Sequence, residues 1–205
     1  MSDAPWSLRG EAVVGFCGRR TVVVAERYVA SPVGPYLAFG VARVSRVGLR
    51  PGLRFTTMVL NNHERLVAGR RNWGLPGEMG TLSWATVNDE SVLVWHEGGV
   101  EVRGRASSRA FPLLAPGRLV QHRADGDVVV PTRMRGSVRR ARVDVSVPDG
   151  NDADLGVVAG EHGGLMITGL AVKLRPARVP AGRLWSARAP AAAPDAALFR
   201  SRRGS

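Results

Sequence analysis

Eight short segments, residues 21–29, 37–47, 55–60, 81–87, 91–95, 100–105, 138–147 and 165–174, are Val-rich or alternate apolar with polar residues. Glycine, proline and Asp/Asn clusters separate them, and Asn88-Asp89-Glu90, Glu97-Gly98-Gly99, Asp125-Gly126-Asp127 and Pro148-Asp149-Gly150 read as turns. A period of two puts alternate side chains on opposite faces of an extended chain, so the pattern predicts strands. Their spacing is that of an antiparallel sandwich or barrel. Only residues 61–72 and 152–159 invite a helix, the second with Asp152 as its cap. The expected class is mainly β with minor α.

A chain of 205 residues suits one domain. We assign residues 1–185 to it. Residues 186–205, rich in Pro, Ala and Arg, read as a flexible tail. The single cysteine, Cys17, cannot form an internal disulfide, and the N-terminus lacks a basic leader followed by an apolar run. Both point to a reduced, cytoplasmic setting without signal peptide or membrane span. Cys17 stands beside Arg19 and Arg20, which could lower a thiol pKa, though a buried inert cysteine is the commoner case.

The formal net charge of +12 raises nucleic acid as a partner, and residues 176–205 carry +5 of it. The densest patch is Arg133, Arg135, Arg139, Arg140 and Arg142. In Arg140-Ala141-Arg142-Val143-Asp144-Val145 polar and apolar residues alternate, as on a half-solvated strand with no partner at all. No helix-turn-helix, zinc-finger or aromatic RNA-binding pattern accompanies it, so nucleic acid is the less favoured partner. His63, His96, His122 and His162 each stand alone, without a second ligand at i+2 or i+4, and no metal or cofactor is expected. A nucleophile elbow, a Walker A loop and a dinucleotide fingerprint are all missing.

The informative passage is Tyr28 to Gly80. It contains Ser31-Pro32-Val33-Gly34-Pro35-Tyr36, then Asn61-Asn62, then Gly69-Arg70-Arg71-Asn72-Trp73-Gly74-Leu75-Pro76-Gly77-Glu78. These motifs, in this order, resemble the acetoacetate decarboxylase-like family, with its S-P-V-G-P-Y segment followed by G-R-x-x-W-G-F/L-P-K. The resemblance implies a cone-like antiparallel β-barrel or double sheet around a pocket, and symmetric homo-oligomers. In that family the lysine after G-F-P attacks a ketone to form a Schiff base, the activated-lysine chemistry for which acetoacetate decarboxylase is the standard example.

Here the matching position is Gly77, which has no amine, and the next position, usually lysine, is Glu78. The family's pocket glutamate corresponds to Ala38. Of the 29 cations Lys173 alone is a lysine, and it is the one candidate for a relocated amine because arginine cannot serve as an amine nucleophile. On period two Lys173 shares a face with Leu165, Ile167 and Ala171, which would suit a cavity wall, or else it leaves the strand end for solvent. Glu78 is the candidate acid/base. Tyr36, Met58, His63, Arg70, Trp73, Pro76 and Gly77 are the candidate pocket residues implied by the resemblance.

The resulting expectation is a barrel that binds a small carbonyl- or carboxylate-bearing metabolite without Schiff-base decarboxylase activity. Two alternatives stay open. One is a lysine-independent lyase, hydratase or isomerase acting on a keto acid or polyketide-like metabolite, with Arg70 as anion clamp. The other is a basic binder of nucleic acid or an acidic partner. Whether the chain is an enzyme at all is left undecided by the residues.

Overall fold

A computed structural model of the chain describes residues 3–47, 50–123, 126–148 and 153–179. Four strands come first: β1 (Trp6–Cys17), β2 (Thr21–Ala30), β3 (Tyr36–Val47) and β4 (Arg50–Leu60). The helix α1 (His63–Trp73) and the two-residue β5 (Glu78–Met79) follow, then β6 (Leu82–Val87), β7 (Glu90–Trp95) and β8 (Val100–Ala106). The chain then runs through β9 (Phe111–Arg123), the 21-residue β10 (Gly126–Ser146), a single helical turn α2 (Ala153–Gly156) and β11 (Gly160–Leu174). The tail assigned to residues 186–205 and the cap assigned to Asp152 lie outside the described residues.

Among the described residues seven strands close a ring, in the order β11-β1-β2-β3-β4-β9-β10 and back to β11. The seam is the parallel contact of β4 with β9, through the pair Leu53↔Leu119. β10 is long enough to serve two sheets. Its first half pairs with β9, its second half with β8, and β8, β7 and β6 extend away from the ring.

This extension folds back over the outside of β1–β4. Val13, Val23, Ala25, Phe39, Val41 and Val59 point outward from the ring and pack with Leu82, Leu93, Val100 and Val102. The opposite faces of the same strands, with Leu8, Ala12, Tyr28, Ala38 and Met58, look into the ring and meet α1 through Leu66, Ala68 and Trp73. Burial on both faces explains why β2 opens Thr21-Val22-Val23-Val24-Ala25 without alternation. Each such Val or Leu contributes about 1.5–3 kcal/mol relative to an exposed position. The exposed arginines of β10 alternate with buried Val138, Ala141, Val143 and Val145, and Arg139 and Arg142 pair with Asp89 and Glu161.

Two long strands were not expected from the sequence. In β1 the alternation is interrupted at Gly10-Glu11, where register shifts fall against both neighbours. A Cβ at Gly10 would collide with the carbonyl of Arg27, so the crossing needs glycine. β9 carries Pro112 and Pro116, which argue against a central strand. They are tolerated because the β4 side of β9 makes so little ladder.

Gly10→Ala is expected to lower stability by about 1–3 kcal/mol, the usual range for overpacking. Gly163→Ala, where a Cβ meets nothing within 4 Å, stays within about 0.5 kcal/mol. Urea midpoints for the two variants check the difference, and equal midpoints contradict it.

Candidate functional site

The ring encloses a cavity of about 430 Å³. Its walls are stacked in cross-strand levels on β1 and β2: Phe16 opposite Val22, Val14 opposite Val24, Ala12 opposite Glu26, and Gly10 opposite Tyr28. Leu165 and Ile167 of β11 continue the second and third levels. Phe16 and Val44, which line the cavity, are 48% and 42% exposed and mark its mouth. At the far end α1 closes the ring, and Arg65 and Leu75 complete the floor.

The floor exists because of local sequence. Asn62 caps α1, accepting from the Arg65 N–H at 2.9 Å, and its side-chain amide donates to the Val33 carbonyl at 3.1 Å. Asn61 accepts from the Leu37 N–H at 2.7 Å. The Ser31-Pro32-Val33-Gly34-Pro35-Tyr36 turn is thereby tied to the helix that follows β4. At the other end Gly74 ends α1 in the left-handed region, φ 65°, donating to Arg70, and Trp73 Nε1 donates to the Arg175 carbonyl at 2.9 Å. These motif residues are scaffold: they set where α1 sits.

Four polar side chains gather at the floor. Arg65 is 4% exposed; its Nε donates to Tyr36 Oη at 3.1 Å, and its Nη1 has no hydrogen-bond partner among the described residues. Its guanidinium lies 5.6 Å from the Trp6 ring, 5.6 Å from Tyr36 and 5.5 Å from Trp73, an aromatic box suited to a cation. A side chain at Gly69 would collide with Arg65 Nη1, which accounts for the glycine of the Gly69-Arg70 motif. Tyr28 Oη donates to Glu26 Oε1 at 2.9 Å.

Burial pushes the Glu26 carboxyl above the ordinary glutamate range, against the opposing effects of the Tyr28 hydrogen bond and the Arg65 charge. Burial likewise pushes Tyr36 up to about 12, with Arg65 opposing, and Tyr28 well above its usual value. The floor thus offers a fixed cation, whose Nη1, unpartnered among the described residues, is packed against Gly69, and one carboxyl able to hold or release a proton. Glu26 stands opposite Ala38 in the β2–β3 ladder, so no second carboxyl competes with it there. Among the described residues no three His, Cys, Asp or Glu side chains converge on a metal position.

The structure divides the residues singled out from sequence. Met58 lines the cavity, while Tyr36 and Trp73 are buried beneath it around Arg65. Pro76 and Gly77 are partly exposed behind the floor, and a Cβ at Gly77 would lie 2.7 Å from Leu66 Cδ1. Leu66 therefore occupies the space a side chain there would enter. Arg70 is exposed and donates to the Gly77 carbonyl, and His63 is exposed at the start of α1. Glu78 is exposed on β5 and does not reach the cavity.

Lys173 is also exposed. The face assigned by period two fails because β11 carries one extra residue around Gly169, φ 57°, relative to both neighbours. The inward row is Leu165 and Ile167 before the bulge, then Leu170, Val172 and Leu174 after it. Cys17 is buried and its thiol is pushed up by burial, so Arg19 and Arg20 do not activate it.

Glu26, Tyr28 and Arg65 were missed from sequence. A signal existed for the first two: Glu26 is in phase with Val22, Val24 and Tyr28, a carboxylate on an inward row. Arg65 looked like any helical arginine until Gly69, one turn later, was seen to make room for it.

No protein-family model matches the sequence, and no curated protein matches it. Solved structures do. The enduracididine biosynthesis enzyme MppR complexed with pyruvate superimposes with a TM-score of 0.61 at 15% identity, covering 88% of this chain and 92% of that one. Acetoacetate decarboxylase from Legionella pneumophila gives 0.59 at 14% identity, covering 87% and 88%. An acetoacetate decarboxylase-like enzyme from Sphingomonas wittichii RW1 gives 0.53 at 13% identity, covering 86% and 92%. At these identities the likeness is one of architecture, and the architecture is that expected from the sequence motifs: the chain has the acetoacetate decarboxylase-like fold.

Proposed function

We propose that this chain binds a small carbonyl- or carboxylate-bearing metabolite in the barrel cavity and does not form a Schiff base with it. The observation that carries the reading is the floor. A buried arginine and a glutamate whose pKa is raised by burial line a mostly apolar chamber, to which Arg118 and Thr132 also contribute, and Leu66 fills the space beside Gly77. A ligand oxygen that reaches the Arg65 guanidinium gains a charge-assisted hydrogen bond. Of the neighbours, MppR has been seen with pyruvate and with a pyruvate–imidazole 4-carboxaldehyde condensation product, ligands of the same chemical class.

A second reading is acid/base chemistry without an amine, favoured by the raised Glu26 pKa beside a cation that would stabilise an enolate. In it Glu26 takes the part that exposed Glu78 cannot. Proton removal next to a carbonyl would use the carboxylate form of Glu26, with Arg65 holding the oxygen.

Three outcomes are expected. Borohydride added with acetoacetate leaves the protein mass unchanged, whereas a reduced covalent adduct would sink the amine-free reading. Hexanoate binds the native chain in calorimetry, and Arg65→Met weakens it about tenfold or more, as for a lost hydrogen bond to a charged group. Binding that ignores this substitution, in a variant whose circular dichroism is native, places the ligand elsewhere.

The third concerns pH. Because the folded chain holds the Glu26 proton more tightly than the unfolded chain does, folding is progressively penalised as pH rises from about 4.3 through the elevated folded value. Glu26→Gln lacks that penalty. Its melting temperature relative to wild type should climb with pH across this window, and a difference that is the same at every pH refutes the shift.

A further inference from the structure

The shape of the cavity says more about its ligand than the floor does. On the β1–β2 wall the polar groups belong to the level of Glu26 and below, and the levels above it are Val14 with Val24 and Phe16 with Val22; on the facing wall Arg118 of β9 and Thr132 of β10 add two polar residues to a mostly apolar lining. Val22 to Glu26 covers about 13 Å of strand at the usual rise. This upper shaft ends at the solvent-exposed edges of Phe16 and Val44. Leu165 flanks it from the far side of β1.

Volume leads to the same conclusion. At the ~30 Å³ that a water occupies in the liquid, 430 Å³ accommodates about fourteen non-hydrogen atoms. A four-carbon keto acid fills about half of that. The remainder would stay as mostly apolar void, where water finds few polar partners and the wall atoms lose their contacts.

We infer that the ligand is a linear amphiphile, a carboxylate or keto acid whose head is held at Arg65 and Glu26 and whose apolar tail of roughly ten carbons runs up the shaft to the mouth. This rests on the binding reading above and adds the tail. Each methylene passing from water into the shaft strengthens binding about fourfold until the tail reaches the mouth. Val24 sets the bore one level above Glu26, and Phe16 guards the exit.

The test is calorimetric titration of the full chain with butanoate, hexanoate, octanoate, decanoate, dodecanoate and tetradecanoate, each below its micelle concentration. Affinity should rise steadily to about ten carbons and then flatten, with decanoate at least a hundredfold tighter than butanoate. Val24→Trp, which blocks the shaft, should cut that ratio below tenfold. Phe16→Glu, which puts charge at the exit and leaves the interior intact, should also shrink it, and serves if the tryptophan variant does not fold. Butanoate and decanoate binding equally well overturns the tail while leaving the binding reading in place. A decanoate ratio unmoved by either variant overturns it too, since the tail is then outside the shaft. If no carboxylate of any length binds, the binding reading itself has failed.

Discussion

The guanidinium of Arg65 is the interaction around which the closed end of the barrel is organised. A cation withdrawn from water needs compensation, and the surrounding residues supply it. Trp6 from β1, Tyr36 from β3 and Trp73 from the end of α1 present their rings, and Tyr36 also accepts a hydrogen bond. Trp6 and Trp73 in turn meet edge to face at 5.2 Å. Strands from one side of the ring and the helix that caps it are thus held to a common point. One donor, Nη1, packed against Gly69, has no partner among the described residues, at a cost of about 1–3 kcal/mol.

The same arrangement makes the floor independent of any side chain at position 77. The motif residues around Gly77 secure α1: Gly69 clears space for Arg65, Trp73 is hydrogen-bonded to the chain beyond β11, and Gly74 turns the backbone so that Leu75 points inward. None of these duties needs a side chain at 77. The space that a side chain there would enter is occupied by Leu66. The motif residues present in this chain act as scaffold for α1.

Much of the fold was legible because burial writes itself into period-two patterns, and the strands of β6, β7 and β8 with their Asn88 and Gly98-Gly99 turns were read directly. What escaped was wherever the pattern is broken for structural reasons. β1 changes phase at Gly10, and β9 uses prolines on an edge with little ladder. In the site, the glycine at position 77 needed no structure to be seen, whereas the packing of Leu66 beside it depends on a contact between helix and loop. Glu26 was readable as a carboxylate on an inward valine row, but motif position drew attention to Glu78, which β5 holds in solvent.

The bulge on β11 has a consequence of its own. A strand has only two sides, so one inserted residue acts as a parity bit that decides which half of the downstream side chains lines the chamber. With Gly169 in place the even-numbered residues after it face inward and Lys173 is left outside. Excising that residue would exchange the two rows and turn the chain's single amine toward an apolar wall, where desolvation lowers an ammonium's pKa. The distance between this barrel and one with a buried lysine is therefore one backbone residue in β11, independent of anything at position 77.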